Sequence, residues 1–410
     1  MTEQIPVAAD LGRVHFIGVG GVGMSGIARI LLARGMTVSG SDAKDSVTLT
    51  ELRMRGATIA AGHDAANVAD ADTVVVSSAV RESNPELAEA RRRDLRVLRR
   101  GAALASVMAD RIGVAIAGTH GKTTTTSMLT VAAQAARVDP SFAIGADLNE
   151  PGSNAHHGSG PHFIAEADES DESFLLLTPS VAVVTNVEAD HLDHYGDLAA
   201  VQAAFVRFAD GLPADGVLVA CADDEGSRRL GEGQRAKGRK VCLYGESADA
   251  DLRIHGLVLD GSGGRFTAVS DGEALGPVML VVPGRHNALN AAGALAAALT
   301  LGLPFPEVAA GLGGFGGARR RFELKGVVRG VRVFDDYAHH PTEVRAALSA
   351  AREVAGGGRV IAAFQPHLYS RTAAFAAEFG AALSLADEVV VMDVYAARED
   401  PVPGVSGQLV

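Results

Sequence analysis

Short apolar runs recur along the chain, and each is followed by a glycine-rich or polar stretch and then by a segment of helical character. Short continuous apolar runs are typical of strands buried on both faces, as in a parallel sheet. Strands that alternate with helices in this order predict an α/β fold. The runs that we take as strands begin near Val14, Met36, Thr73, Ile112, His162, Val181, Val217, Lys240, Val331, Arg359 and Glu388.

The same pattern divides the chain into three domains. The pattern of the first domain predicts a Rossmann-like fold, and that of the second predicts a P-loop ATPase domain. Residues 251–282 of the second domain are predicted to form hairpins, so we expect its sheet to be mixed. A glycine-rich stretch, 311–318, predicts a hinge-like linker to a second Rossmann-like domain. That domain has few strands and no closing helix before Val410, which predicts that it is incomplete, truncated at its C-terminus. The predicted domains cover residues 1–110, 111–318 and 319–410.

The strongest chemical signal is the loop Gly118–Thr124, which lies between an apolar run and a helical segment. Glycines let backbone N–H groups converge on phosphate oxygens, and the following helix adds positive potential. In such a loop Lys122 reaches the β- and γ-phosphates and Thr123 holds Mg²⁺. Ile116 stands where the first glycine of the usual motif would be, so the loop is a shortened variant. The alternative is an ordinary glycine turn with a solvated lysine.

Composition narrows the class of partner. The 410 residues are 47% hydrophobic and 21% charged, as in ordinary soluble globular proteins. A net charge of −12 argues against a nucleic-acid partner but not against an anionic small molecule. Cys221 and Cys242 lack metal-type spacing, and the N-terminus lacks the pattern of a signal peptide. We therefore expect a cytoplasmic protein with no membrane partner.

A second glycine motif opens the first domain. Gly18, Gly20 and Gly23 follow the first strand, and Asp42 lies about 20 residues further on, as in the dinucleotide fingerprint. The motif predicts a diphosphate on a helix N-terminus, with Asp42 on a ribose hydroxyl or a base edge. NAD and a UDP-sugar both fit, and a glycine turn without a ligand remains the alternative. Ser78 and Arg81 follow another strand and are candidate contacts to the same ligand.

Two further strands end in polar clusters near the phosphate loop. Five carboxylates lie between Glu166 and Glu172, and crowded carboxylates repel one another unless a cation joins them. Glu166 is the best-placed Mg²⁺ ligand because it ends its strand; a solvated acidic loop is the alternative. The strand from Val181 leads to His191, which we interpret as a ligand or orienter of a second Mg²⁺.

Two segments suggest the remaining contacts to a nucleotide. His286 and Asn290 are placed to face an adenine, while Asn287 is a candidate cap for the helix that follows. Arg320 lies in a run of three arginines after the glycine-rich stretch, which suggests a clamp on the phosphates. A surface charge run is the alternative.

Together these motifs resemble the Mur ligases, and among them the branch that adds L-alanine. The resemblance covers nearly the whole chain in the family's order. It implies that UDP-N-acetylmuramate, ATP and L-alanine bind to the first, second and third domains. It also implies that an acyl phosphate forms on the lactyl carboxylate and that the amine of L-alanine then displaces phosphate. The matching stretches are Gly18–Gly26, Gly118–Thr124, Glu166–Asp171, Asn186–Tyr195, His286–Asn290, Arg320–Glu323, Asp335–Pro341 and Gln365–Thr372.

The resemblance also assigns roles to residues. The implied cofactors are ATP and two Mg²⁺ ions, with Mn²⁺ as a possible substitute, in a monomer or homodimer. Lys122, His191 and Arg320 are the implied catalytic residues. The implied ATP contacts are Gly118, Thr119, Gly121, Lys122, Thr123, Thr124, His286, Asn287, Asn290, Arg320 and Asp336. The implied UDP-sugar contacts are Gly18, Gly20, Gly21, Gly23, Met24, Ser25, Asp42, Ser78, Arg81 and His120. Tyr337, His339, His367 and Arg371 are implied to hold L-alanine, and Thr123, Glu166 and His191 the metal.

The sequence departs from the pattern of the Mur ligases at two points, and three other functions remain as alternatives. No lysine lies between Lys122 and Lys237, so the carbamylated lysine of several sister ligases is absent, which fits the alanine-adding branch. Leu368 stands where some relatives carry a second arginine. A peptide-recycling ligase acting on the same nucleotide sugar is the close alternative, and Ser170 argues against it. An NAD-dependent dehydrogenase and a non-catalytic nucleotide-binding module are the others.

Overall fold

The computed structural model describes residues 5–77, 79–145, 153–397 and 399–410. The predicted α/β fold class with a mixed central sheet is confirmed. Within the described residues, no helix has both the length and the apolar character needed to cross a membrane. The two cysteines, Cys221 and Cys242, are not bonded to each other.

The first domain is a five-stranded parallel sheet in the order β3-β2-β1-β4-β5. Its central strand, β1, is buried along its whole length. The order in which successive strands are added reverses at β1, because β2 and β3 lie on one side of it and β4 and β5 on the other. Ligands of open α/β sheets bind at such a point. The elements are β1 (Val14–Ile17), α1 (Val22–Ala33), β2 (Val38–Asp42), α2 (Val47–Met54), β3 (Thr58–Ala61), β4 (Thr73–Val76), α3 (Pro85–Arg92), β5 (Arg96–Arg99) and α4 (Arg100–Met108).

The central domain is a ten-stranded mixed sheet in the order β15-β14-β13-β12-β11-β10-β6-β9-β7-β8. Strand β6 lies between β9 and β10 and runs parallel to both, so the residues that follow these three strands meet at one edge. The strands are β6 (Ile112–Ala117), β7 (Ser141–Ala143), β8 (Ala155–His156), β9 (His162–Glu166), β10 (Val181–Val184), β11 (Val217–Cys221), β12 (Lys240–Gly245), β13 (Leu252–Leu259), β14 (Gly264–Ser270) and β15 (Glu273–Leu280). The helices are α5 (Lys122–Ala135), α6 (Leu192–Tyr195), α7 (Leu198–Asp210), α8 (Glu225–Ala236), α9 (Arg285–Thr300) and α10 (Phe305–Gly313).

Two local predictions for this domain are wrong. The stretch predicted as a linker begins inside α10, where a methyl group added to Gly311 would lie 2.7 Å from the Cα of Ala132 on α5. Gly311 therefore allows α10 and α5 to pack closely, and it does not act as a hinge. Asn287 does not cap α9, because the cap position is Gly284 and the Asn287 amide donates to the Pro283 carbonyl.

The third domain pairs a hairpin with a small parallel sheet. Strands β18 and β19 are parallel, as a Rossmann-like unit requires, whereas β16 and β17 pair only with each other. Pro341 occupies the first turn of α11, as predicted. The elements are β16 (Glu323–Val328), β17 (Val331–Asp335), α11 (Pro341–Ala355), β18 (Ile361–Phe364), α12 (Tyr369–Leu383) and β19 (Glu388–Val391).

Candidate active site

The glycine loop after β6 has the backbone that a phosphate cradle requires. Gly118 has φ +131° and Gly121 has φ +81°, values that L side chains rarely adopt. A Cβ at Gly118 would overlap the Thr185 hydroxyl, so the position also lacks space. Gly121 is the N-cap of α5, which directs the first amides of that helix at the loop.

Lys122 lies partly buried beneath this loop and already has three oxygen partners. Its Nζ donates to the carbonyls of Gly118 (2.6 Å) and Thr119 (3.2 Å) and to Glu169 (2.8 Å). Burial lowers the pKa of Lys122, but the nearby carboxylates, Glu169 above all, raise it above its usual value. Burial raises the pKa of Glu169 to about 7, and Lys122 opposes that rise only in part. In the sequence, Glu169 is one of five crowded carboxylates, and no signal there indicates that it would bind the lysine.

The predicted ligands of the first metal lie in contact. The Thr123 hydroxyl is 3.1 and 3.0 Å from the two carboxylate oxygens of Glu166, and the Gly145 amide donates to the same carboxylate at 2.7 Å. A hydroxyl and a carboxylate beside a phosphate loop are hard oxygen donors of the kind that Mg²⁺ prefers. These residues therefore fit a magnesium ion bound with nucleotide phosphates.

His191 has a less regular environment. It adopts φ +53° at the N-cap of α6, and its Nε2 lies 3.8 Å from Glu169 and 3.7 Å from Asp190. Burial lowers the pKa of His191, with Asp190 opposing. A neutral imidazole beside two carboxylates fits the predicted role of ligand or orienter.

A cavity of about 600 Å³ joins the phosphate loop to the third domain. It brings together Lys122 and the predicted metal ligands with all four residues predicted to hold L-alanine. Those residues of the third domain are Tyr337, His339, His367 and Arg371. Residues more than 200 positions apart in the chain thus line one site, as a reaction between two bound substrates requires.

Arg371 is not a free cation in this site. Its Nη2 and Nε donate to one oxygen of Asp190, at 2.8 and 3.2 Å, and both side chains are buried. Burial would raise the pKa of Asp190, but His191 and Arg371 hold it below its usual value. Leu368 is buried at the start of α12 with φ +72° and lines the same cavity. If the carboxylate of a bound amino acid contacts Arg371, the guanidinium interacts with that carboxylate and with Asp190 at the same time.

A neighbouring cavity of about 590 Å³ contains the predicted ATP contacts His286, Asn287, Asn290 and Asp336. Burial lowers the pKa of His286 to about 4, so its imidazole is neutral at pH 7. Asp336 accepts from the amides of Phe322 and Ala338, each at 2.7 Å. This cavity also meets the phosphate loop at Gly121 and Thr123. The two cavities therefore share that loop.

Of the three consecutive arginines, Arg321 lies in the site, whereas Arg320 was predicted to do so. Arg320 is half exposed, stacks over Tyr337 at 4.6 Å and lies 3.6 Å from Asp335. Arg321 instead lines both cavities, and its Nη2 is 3.4 Å from the Thr123 hydroxyl. No local pattern in the sequence distinguishes these adjacent arginines; in the structure Arg320 has a left-handed φ of +57°.

The glycine motif of the first domain is assembled as expected. The Gly20 amide donates to Asp42 at 2.9 Å, so the loop and the acidic residue after β2 are in contact. Met24 and Ser25 are buried in α1, Arg81 is exposed, and Ser78 lies outside the described residues. His120, also predicted for the UDP-sugar, faces the third domain: it lies against Glu343 of α11.

Comparison with known proteins gives a consistent result over the whole chain. Three Mur ligase profiles match in succession: the family's catalytic domain over residues 13–112, its middle domain over 116–298 and its glutamate ligase domain over 320–409. A UDP-N-acetylmuramate–L-alanine ligase of Acidothermus cellulolyticus is 62% identical over 405 residues, covering 99% of this chain and 85% of the relative.

Solved structures agree. A UDP-N-acetylmuramate–alanine ligase from Thermotoga maritima superposes with a TM-score of 0.79 at 32% identity, over 93% of this chain and 85% of that one. A murein peptide ligase from Psychrobacter arcticus superposes with a TM-score of 0.74 at 27% identity, with the same coverage.

Proposed function

The chain belongs to the Mur ligase family, and we propose that it joins L-alanine to the lactyl carboxylate of UDP-N-acetylmuramate, converting ATP to ADP and phosphate. One observation carries the substrate assignment: the 62% identity, over 99% of the chain, to a relative that bears this name. The arrangement of the site supports it, because one cavity contacts both the phosphate loop and the residues proposed to hold L-alanine.

In the first step, an oxygen of the lactyl carboxylate attacks the γ-phosphorus of ATP, the bond to the β-phosphate bridging oxygen breaks, and ADP leaves. The main obstacle is electrostatic, because two anions approach each other. Unit charges about 4 Å apart repel by roughly 4 kcal/mol at an effective dielectric constant near 20. Lys122, Arg321 and the amides at the start of α5 are the groups of this chain that offset the repulsion. No side-chain nucleophile is required, since positioning and charge stabilisation carry phosphoryl transfer.

In the second step, the neutral amine of L-alanine attacks the acyl carbon of the acyl phosphate, and phosphate leaves with the former carboxylate oxygen. The nitrogen releases one proton, which the leaving phosphate or solvent takes up. We propose that His339, His367 and Tyr337 orient the amino acid, with Arg371 on its carboxylate. The Asp190 carboxylate already fixes the Arg371 guanidinium through two donors, so its direction is set before the substrate arrives.

We propose Mg²⁺ as the bound cation, held by Thr123 and Glu166, with His191 at a second ion. When bound, Mg²⁺ supplies positive charge to the phosphate oxygens. The support is the contact between the Thr123 hydroxyl and the Glu166 carboxylate at the phosphate loop.

The direct test is phosphate release with an amino-acid panel, with and without UDP-N-acetylmuramate, followed by mass analysis of the product. We expect release that depends on both ATP and UDP-N-acetylmuramate and is fastest with L-alanine. Faster release with the tripeptide L-alanyl-γ-D-glutamyl-diaminopimelate than with L-alanine would favour the peptide-recycling reaction and overturn the proposal. Release that is independent of UDP-N-acetylmuramate would overturn it as well.

A further inference from the structure

The third residue of the phosphate loop, His120, connects two domains. Its backbone is fixed to the central domain: its amide donates to Asn186 Oδ1 at 2.7 Å, and its carbonyl accepts from the Thr185 hydroxyl at 2.5 Å. Its side chain is 9% exposed and reaches α11 of the third domain, where Nδ1 lies 3.3 Å from Glu343 Oε1. Nε2 lies 3.8 Å from Glu188 and has no hydrogen-bond partner among the described groups.

The start of α11 completes this contact from the other side. The His340 ring lies 4.6 Å from the His120 ring, and its Nε2 is 3.2 Å from the Ala189 carbonyl. The Thr342 hydroxyl donates to Glu188 at 2.6 Å. We call His120, Glu188, His340, Thr342 and Glu343 the His120 cluster. It is the place where the first turn of α11 docks beside the phosphate loop.

The charges in the cluster are complementary across the domain boundary. Burial lowers the pKa of His120, but Glu188 and Glu343 together raise it to about 9, so the imidazole is a cation at pH 7. Burial would raise the pKa of Glu343, yet its cationic neighbours, His120 first, hold it well below its usual value. The charged and titratable groups around His120 and its partners are Glu188, Glu343, His339, His340 and Arg321.

A metal ion is a poorer account of the same residues. His120, Glu188 and His340 lie close enough to suggest one. However, each His340 nitrogen already has a partner, since Nε2 meets the Ala189 carbonyl and Nδ1 lies 3.4 Å from the Thr342 amide. The Glu188 oxygen nearest His120 also accepts from Thr342. Binding a metal would break these hydrogen bonds.

We propose that His120 is a positioning residue that couples occupancy of the phosphate loop to docking of the third domain. The coupling rests on the proposed function, because only a substrate in both domains makes it useful. Asn186 and Thr185 fix the backbone of His120 within the phosphate loop, and its side chain presents its charge to Glu343. Phosphates bound by the loop and the docked α11 therefore contact the same rigid segment. By linkage, docking of α11 stabilises the phosphate-binding form of the loop to the same degree. His120 acts through Glu343 and need not touch a reacting atom.

The test compares His120→Gln, Glu343→Gln and the double variant with the full chain. His156→Gln is the matched control, because His156 is an exposed histidine of the same domain that pairs with Asp139. We expect each single change to lower kcat by about tenfold and the double change to cost no more than either single one, as for two residues acting as a unit. Multiplicative losses would overturn the coupling.

A second readout needs no turnover and so separates this inference from the proposed function. Small-angle X-ray scattering of the wild type is expected to show a smaller radius of gyration with a non-hydrolysable ATP analogue and Mg²⁺. The two single variants are expected to bind the analogue without this compaction. Calorimetric titration with UDP-N-acetylmuramate compares the Kd of the wild type and of His120→Gln, because the family resemblance also implies a contact between His120 and the sugar nucleotide. A weakened Kd with normal compaction would assign His120 to the sugar nucleotide instead and overturn the inference.

The pH profile provides a third readout. Dividing the wild-type kcat/KM by that of His120→Gln cancels the ionisation of the substrates. The ratio is expected to be constant below pH 8 and to fall as pH passes about 9, where the imidazole loses its proton. A flat ratio up to pH 10 would overturn the role of the charge. If His120→Gln fails to fold, Glu343→Gln carries the same comparisons.

Discussion

At the residue scale, the sequence predicted the positions of those residues that directly follow a recognisable loop or end a recognisable strand. Lys122 and Thr123 follow a glycine loop and Glu166 ends a strand, so the predicted positions hold in the structure. Their partners were not predictable. Glu169 holds Lys122 because a short turn after β9 directs one carboxylate of five inward, and no local pattern distinguishes it. Arg321 rather than Arg320 reaches Thr123 for a similarly local reason.

Lys122→Ala is expected to abolish phosphate release while UDP-N-acetylmuramate still binds. The change also leaves the Glu169 carboxylate buried without its cation, which typically costs about 3 kcal/mol. Lys122→Ala with Glu169→Gln should therefore recover much of the Tm but none of the activity. Lys237→Ala, at an exposed ion pair with Asp210, serves as the control. Near-normal phosphate release in Lys122→Ala would contradict the proposed role.

Glu86 is expected to make the stability of the first domain pH-dependent. This carboxylate is fully buried, and Ser41 and Asn67 donate to it at 2.6 and 2.5 Å. Burial raises its pKa, but the nearby His15 imidazole and hydrogen bonds from Ser41 and Asn67 lower it from 4.5 to about 2. The ionised group therefore stabilises the fold above pH 4.5, and this contribution is lost as pH falls towards 2.

Urea unfolding of Glu86→Gln measures this contribution. The variant should lose about 2 kcal/mol of unfolding free energy at pH 7 and progressively less below pH 4.5. Glu82→Gln, at an exposed ion pair with Arg91, should change little at either pH. A difference that is the same at pH 7 and pH 3 would contradict the assigned pKa.

At the element scale, many of the strands were predictable because apolar runs and glycine turns are local signals. Five short or exposed strands, β3, β5, β7, β8 and β16, were not predicted. The switch point beside β1 and the shared edge after β6, β9 and β10 follow from strand order, which puts these loops where ligands bind. The failures come from tertiary packing. Gly311 belongs to a glycine-rich stretch that looks like a linker in sequence, but in the structure it allows α10 to pack closely against α5.

Gly311→Ala tests that packing. The added methyl group would lie 2.7 Å from the Ala132 Cα and 2.8 Å from the Ala135 Cβ, so α10 must shift away from α5. Overpacking of this kind costs roughly 1–3 kcal/mol, which should appear as a lower Tm. At Gly316 an added methyl group meets no atom within 4 Å, so Gly316→Ala is the control. Equal Tm values for the two variants would show that the helices are not in close contact.

At the scale of the whole molecule, the site depends on docking between domains, which single-sequence reasoning cannot derive. That Arg371 meets Asp190, 181 positions away, follows from the position of the third domain and from no pattern in either segment. The resemblance to the Mur ligases supplied the functional assignment, and the alignment over the whole chain supports it.

Asp190→Asn tests the link between this docking and the amino-acid site. The Arg371 guanidinium would keep an oxygen acceptor but lose its counter-charge, so its direction should become less fixed. We expect the KM for L-alanine to rise by about tenfold, with a smaller change for ATP. Asp387→Asn, at a partly exposed ion pair with Arg352 within the third domain, is the control. Equal increases in both KM values would point to general loss of docking instead.

The central claim is that the lactyl carboxylate attacks ATP directly, and oxygen transfer tests it most directly. UDP-N-acetylmuramate labelled with ¹⁸O in both carboxylate oxygens is incubated with ATP, L-alanine and the enzyme, and the released phosphate is analysed by mass spectrometry. The account predicts one ¹⁸O in each phosphate and one retained in the new amide. Phosphate without ¹⁸O would contradict the acyl-phosphate route and with it the functional assignment of the site.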